Sequence, residues 1–369
     1  MTRHVAAACR GLLAAGEMPR PTGRVLLLAP SRGLGGGIER YVGTLEWAFA
    51  AQGIACQRVD LSRAGVRAHV GMLADGRALL RISPGPTRIV VGHRALLPVA
   101  TLLAREPTAS GISVLCHGSE VWNAPPWPRR SVERGLMRQP GVRAVAVSSF
   151  TAGALAGDCR ATILPPALSQ EWFEMLVSAA TTVRDPAPGT QLATAFRLAG
   201  WREKGLPQLI EAVKALGRRD IRLTICGSGD PPPDLLRLVA DHSWCDLQPA
   251  VTDHELAHQL AIADLFILAT RTRAGRHASG EGFGVVLLEA QVAGTPVIAP
   301  AHGGSSDAYV EGVTGAAPAD ETTGTLARIL GETLQDPVRL AWMGERAAEW
   351  ARESFAPEHY AQLVVRRLL

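Results

Sequence analysis

The sequence of 369 residues predicts an α/β protein built from two doubly wound parallel sheets, one in each of two domains. Three observations lead there. Short apolar, β-branched runs alternate with longer runs of helical periodicity along the chain, as expected of strands covered on both faces by helices. The runs fall into two sets: 24–30, 54–59, 88–91, 113–116, 142–147 and 161–164, then 191–196, 221–226, 245–248, 265–269 and 296–299. Between the sets lies Val183-Arg184-Asp185-Pro186-Ala187-Pro188-Gly189-Thr190, a polar Pro/Gly segment of linker type. The expected organisation is an N-terminal domain over 1–182, a second over 183–350 facing it across a cleft, and a closing helix over 351–369 returning to the first.

Composition narrows the function classes. Hydrophobic residues at 47% and charged residues at 20% fit a globular enzyme rather than a disordered or fibrous chain. A net charge of +4 argues against dedicated nucleic-acid binding but leaves room for a local basic site for a phosphorylated ligand. The 6 cysteines are scattered without a C-x-x-C pair, which fits reduced thiols and a cytoplasmic location. The N-terminal apolar patch is interrupted by Arg10 and followed by Glu17 and Pro19, so it reads as an extension, not a signal peptide. No apolar run reaches the roughly 18 residues of a membrane span.

The first strand, Arg24 to Pro30, runs into Ser31-Arg32-Gly33-Leu34-Gly35-Gly36-Gly37-Ile38-Glu39-Arg40. A helix follows, with Ile38, Tyr41, Val42, Leu45 and Phe49 on one face. A glycine-rich turn between strand and helix suits phosphate binding. Asp60 even imitates the ribose-binding acid of a dinucleotide site, but the third glycine of that fingerprint is Ile38 or Arg40 here. A later helical stretch carries Val66, Val70 and Leu73 among Arg63, Arg67, Arg77 and Arg81. Trp122 to Arg138 mixes tryptophans with Arg129, Arg130 and Arg134. Both are expected to be solvated basic faces, with peripheral membrane contact the less favoured reading. Between these patches, Cys116-His117-Gly118-Ser119-Glu120 closes a strand at the edge where open parallel sheets bind ligands. Ser148 is a helix cap in Val147-Ser148-Ser149-Phe150-Thr151.

In the second half, Ala195-Phe196-Arg197-Leu198 ends a strand and Arg202-Glu203-Lys204-Gly205 opens a helix. The only lysines of the chain are Lys204 and Lys214, so a compact ammonium is used at a position where arginine is otherwise the rule. An ammonium suits a phosphate as a point charge. Cys226-Gly227-Ser228-Gly229 forms a turn after the next strand. His254-Glu255-Leu256-Ala257-His258 satisfies the H-E-x-x-H pattern of zinc peptidases. Thr252-Asp253 nevertheless reads as an ordinary cap of an amphipathic helix that turns Leu256, Leu260 and Ala263 inward, and no third ligand follows at a usual spacing. Finally, Glu281-Gly282-Phe283-Gly284-Val285-Val286-Leu287-Leu288-Glu289-Ala290 sets two glycines before an apolar helix, with one carboxylate ahead of the helix and one within it. The first helical turn offers N–H groups and the positive end of the dipole to an anion.

This last stretch resembles the E-x7-E signature of retaining glycosyltransferases, in particular glycosyltransferase family 4. Gly36-Gly37-Ile38-Glu39-Arg40 looks like that family's N-terminal loop, and Arg197 with Lys204 resembles its G-R-L…E-K-G pair, with a connection two residues longer through Gly200-Trp201. The resemblance covers residues 24–369, is strongest over 262–316, and keeps the motifs in order. It implies a GT-B fold of two Rossmann-like domains and a retaining transfer from a nucleotide-diphosphate sugar, a UDP-sugar being favoured. The acceptor hydroxyl is not identified by the sequence; a bacterial secondary metabolite, an envelope glycan and a glycolipid all stay open. By the same resemblance Glu281 holds sugar hydroxyls, Glu289 the nucleotide ribose and His117 the transferred sugar, while Arg197 and Lys204 neutralise the diphosphate. Gly36, Gly37, Gly227, Phe283, Gly284 and Val285 are the further donor-binding positions, and Glu120 accompanies His117. No Asp-x-Asp motif occurs, so neither metal nor cofactor is expected. A sugar-nucleotide-binding protein without turnover and, more remotely, a zinc peptidase remain the alternatives.

Overall fold

The computed structural model describes residues 23–30, 37–61, 65–122, 129–181, 189–273 and 278–369. The N-terminal extension, Gly36 with most of its glycine-rich loop, and the 183–188 part of the linker lie outside these residues. The described chain forms two compact units: residues 23–169 with Pro357–Leu369, and Gln170–Arg273 with Ser279–Ala356.

The first unit is a parallel sheet of β1 (Arg24–Ala29), β2 (Ala55–Asp60), β3 (Thr87–Val91), β4 (Ala109–Cys116), β5 (Val142–Ala146) and β6 (Ala161–Ile163), in the order β2-β1-β3-β4-β5-β6. The strand order turns back between β1 and β3, so the loops after these strands diverge and leave room for a ligand. The helices are α1 (Gly37–Ala51), α2 (Val66–Arg81), α3 (Leu97–Leu103), α4 (Ser119–Trp122), α5 (Arg129–Met137) and α6 (Ser149–Leu155). α1 buries Tyr41, Val42, Leu45 and Phe49 as its periodicity requires, and Ser148 caps α6 by accepting from the Thr151 amide at 3.2 Å. The buried stripe of α2 is Met72, Gly76 and Leu80, while Val66 and Val70 are exposed. Gly76 brings that stripe close to α3, since a Cβ there would stand 2.8 Å from Leu103 Cδ1 and the leucine would have to shift.

The second unit holds β7 (Thr190–Arg197), β8 (Ile221–Ser228), β9 (Cys245–Pro249), β10 (Leu265–Ile267), β11 (Val297–Ile298) and β12 (Gly315–Ala316), in the order β12-β11-β10-β7-β8-β9. Read from the other edge this is the Rossmann order, with its switch point between β7 and β10. β12 is absent from the sequence reading, since two residues opening on a glycine leave no periodicity to detect. Its helices are α7 (Gln170–Thr181), α8 (Leu206–Ala215), α9 (Pro233–Ala240), α10 (Asp253–Ile262), α11 (Val285–Val292), α12 (Thr323–Leu334) and α13 (Pro337–Ser354). The changeover at Gln170 comes before the Pro/Gly segment, because α7 packs on α10 and α11.

α14 (Pro357–Leu368) returns to the first unit and packs along α1. The Tyr41 hydroxyl donates to Leu164 O at 3.2 Å and the Tyr360 hydroxyl to Pro165 O at 2.9 Å. Two fully buried phenols, one from each helix, thus hold the segment that leads out of the sheet, and burial raises both hydroxyl pKa values above the usual phenol range. Tyr360→Phe would leave a buried carbonyl without its donor. It is expected to cost about 1–3 kcal/mol in denaturant unfolding, whereas a change of a few tenths would show that the bond is not needed.

Candidate active site

The second unit builds its site at the switch point. β7 ends at Arg197, which is exposed and in register with Ser228 of β8. The chain then makes a 3₁₀ turn over Leu198–Gly200, followed by Trp201, whose ring is buried with the Arg202 guanidinium 4.0 Å over it. The two extra residues of this connection are therefore an anchored turn. Gly205 ends it in the left-handed region at φ 71°, and a Cβ there would lie 2.0 Å from Ala269 O. Only glycine lets α8 start this close to the strand beside it.

That approach sets Lys204. Its Nζ lies 2.7 Å from Glu281 Oε2, which also accepts from Thr270 Oγ1 at 3.0 Å. The Glu281 carbonyl accepts from the Gly304 amide at 2.8 Å, and Gly303, at φ 118°, leaves room that a Cβ 2.6 Å from this carbonyl would fill. Lys204, Thr270 and Glu281 come from three connections and meet at one carboxylate. Thr270 went unread in the sequence, although its place just past β10 is a switch-point position.

Beyond Glu281, Phe283 is buried edge-on to Phe355 at 6.3 Å and fixes the turn. Gly284 takes the left-handed conformation at φ 83° and opens α11 as a cap residue with no side chain to bond the first-turn amides. The amides of a first turn, with the helix dipole, favour an anion there. The Ser305 hydroxyl, 3.2 Å from where a Cβ on Gly284 would stand, is buried with no hydrogen-bond partner among the described residues. Val285 and Val286 are half-buried at this end. Farther along, Glu289 is buried and its Oε1 accepts from Trp172 Nε1 at 3.0 Å. Gly227 has a packing reason of its own, since a Cβ would meet Leu198 Cδ2 at 2.3 Å and Phe196 O at 2.7 Å.

The first unit holds the His117 cluster. His117 follows β4, and its Nε2 lies 2.7 Å from Gly92 O. A carbonyl can only accept, so Nε2 carries the proton. The His117 amide donates to Glu120 Oε1, while Glu120 Oε2 is buried without a partner among the described residues. Tyr41 meets the imidazole edge-on at 5.7 Å, and the His93 ring stacks on it at 6.0 Å with planes 17° apart. His93 Nδ1 accepts from the Ala95 amide at 3.1 Å, which puts the neutral ring's proton on Nε2. Burial pushes the His93 pKa down; the nearby Glu120 and Glu133 oppose this, and His117 adds to it. His93 also escaped the sequence reading, though the end of β3 beside the switch point marks it. Gly37 opens α1 and is exposed, and a Cβ there would touch nothing within 4 Å. The glycine is not required by packing.

The H-E-x-x-H match falls on α10. Glu255 Oε2 accepts from the Thr252 amide at 2.7 Å and from the Thr252 hydroxyl at 2.8 Å, while its own amide donates to Thr252 Oγ1 at 3.2 Å. This is a capping box, and it commits the carboxylate a peptidase would use as base. Among the described residues, no three His, Cys, Asp or Glu side chains are grouped to hold a metal.

Two Rossmann-like sheets with this connectivity define the GT-B fold, and comparisons agree. The chain matches a sucrose-phosphate synthase structure from Thermosynechococcus elongatus at TM-score 0.75 and 17% identity, covering 94% of this chain and 98% of that one. It matches Anabaena HepE in complex with UDP at TM-score 0.72 and 15% identity, covering 92% and 98%. The family model for glycosyl transferases group 1 matches residues 197–350. A GDP-mannose-dependent alpha-(1-6)-phosphatidylinositol monomannoside mannosyltransferase of Mycobacterium tuberculosis is 31% identical over 301 residues, spanning 72% of this chain and 75% of its own. A D-inositol 3-phosphate glycosyltransferase of Pseudarthrobacter chlorophenolicus is 28% identical over 381 residues, 88% of each chain. The chain belongs to the glycosyl transferases group 1.

The His93 shift has a consequence for stability. Because folding lowers its proton affinity, the unfolded chain binds more protons as pH falls below about 6.5, and the fold weakens there. His93→Asn keeps an acceptor for Ala95 and does not titrate. Between pH 7 and pH 5 its melting temperature should fall less than that of the parent; parallel curves would show that His93 is not the group responsible.

Proposed function

We propose that the protein transfers a sugar, with retention of anomeric configuration, from a nucleoside-diphosphate sugar to a hydroxyl of an inositol-containing phosphate ester. The observation that carries this reading is the Lys204–Glu281–Thr270 cluster beside the uncapped first turn of α11. As the glycosidic bond breaks, negative charge grows on the departing diphosphate and positive charge on the sugar ring. Preorganised donors stabilise such charge strongly. The α11 amides and Arg197 receive the diphosphate. Lys204 exchanges Glu281 for phosphate, which releases the carboxylate to the sugar hydroxyls. Glu289 is assigned to the ribose, and His117 with Glu120 to the transferred sugar. The leaving phosphate oxygen takes the proton of the acceptor hydroxyl on the face it departs from, so this route uses neither a separate base nor a metal.

The donor base favoured in the sequence reading is uracil, whereas the mannosyltransferase relatives are named for GDP-mannose. GDP-mannose is therefore the first donor to test. The acceptor class rests on the inositol and phosphate common to both groups of relatives' names. No helix among the described residues is long and apolar enough to cross a membrane.

Turnover with GDP-mannose and with UDP-glucose, on inositol 3-phosphate and on phosphatidylinositol monomannoside in micelles, tests the reading. Lys204→Ala and Arg197→Ala should each lower kcat about a hundredfold or more, the effect of losing a donor aimed at transition-state charge. Glu281→Gln should depress kcat as well. Glu289→Gln should mainly raise the donor KM, because ribose contacts are the same in ground and transition state. Donor binding with neither hydrolysis nor transfer to any acceptor would replace the transferase reading with a binding protein.

A further inference from the structure

Trp172 and Glu289 are 117 positions apart in sequence, and both are buried. A buried carboxylate needs hydrogen bonds, and a buried indole N–H needs an acceptor, so mutual satisfaction alone would account for the bond. Two features point further. Side chains on a helix lean toward its N-terminus, so Glu289 reaches back over Val285 and Val286, the turn whose amides await an anion. The indole N–H is also a directional donor on Oε1, which orients the carboxylate without placing a second charge beside it. Gln291, two residues on, shows the contrast: its Nε2 is bonded to Leu287 O at 2.9 Å and Ala308 O at 2.7 Å, both backbone groups.

We propose that Trp172 is a positioning residue for the donor: its indole N–H holds Glu289 in the orientation that receives the vicinal hydroxyls of the nucleotide ribose. This rests on the assignment of Glu289 to the ribose made above. Helix α7 thereby joins the donor site without touching the nucleotide.

The test is a calorimetric cycle with GDP and UDP and with their 2′,3′-dideoxy forms, on the parent, Trp172→Phe, Glu289→Gln and the double variant. A hydrogen bond to a charged group corresponds to roughly a tenfold to hundredfold change in binding. Trp172→Phe should weaken the preferred nucleoside diphosphate by about that factor, leave the dideoxy form within about twofold, and raise donor KM with little change in kcat. Adding it to Glu289→Gln should cost nothing more. Trp172→Gln, whose amide can donate to the same oxygen, should recover part of the affinity and serves if the phenylalanine variant does not fold. Multiplying losses in the double variant, or equal losses for ribose and dideoxyribose, would reduce Trp172 to packing and overturn the proposal. Unchanged nucleotide binding in Glu289→Gln would instead remove the ribose assignment itself, and the proposal with it.

Discussion

Burial of α11 is the constraint from which the second unit follows. From Leu287 to Val292 every side chain is buried, yet two of these residues are polar. A polar group in such a place must find a partner or cost several kcal/mol, of order 2–7. Trp172 answers Glu289, and two carbonyls answer Gln291 Nε2, while Gln291 Oε1 has no partner among the described residues. The C-terminal end is closed by Arg352, whose Nε and Nη2 donate to Val292 O at 3.0 and 2.9 Å. At the first turn the cap residue is Gly284, which offers the amides no side chain. A helix finished at its flanks and C-terminal end but left uncapped where the dipole is positive is arranged for an anion.

The ion pair beside it is suited to exchange. Lys204 and Glu281 keep side-chain exposures of 30% and 14%, so water screens the pair and its net contribution is modest. A diphosphate carries more charge than one carboxylate and can compete for the ammonium. Thr270 bonds the same oxygen of Glu281, so in the proposed exchange the carboxylate would keep one donor when Lys204 leaves it. The turn that fixes Lys204 depends on Gly205 and Trp201, so the longer connection rearranges the backbone without losing the charge.

Much of this was legible in the sequence because it is local. Strands buried on both faces read as apolar runs, and Thr252-Asp253 announced a cap. The Gly-Phe-Gly turn before α11 announced an uncapped helix start. What escaped was non-local or too short. β12 has two residues, and Trp172 meets its partner 117 positions away. Val66 and Val70 share helical spacing with Leu73, but only the packing of Gly76 against Leu103 shows which stripe of α2 turns inward. Likewise the changeover between units follows the packing of α7, which composition does not report. His93 was passed over because one histidine after a strand says little until its stacking on His117 is seen.

In the proposed complex a donor diphosphate binds at the first turn of α11 and takes Lys204 from Glu281. A crystal structure of the protein with bound nucleoside diphosphate tests it most directly. The account predicts phosphate oxygens within hydrogen-bonding distance of the Val285 and Val286 amides, with Lys204 Nζ on phosphate and Thr270 still on Glu281. A diphosphate bound away from this turn, with the Lys204–Glu281 pair still at 2.7 Å, would contradict it.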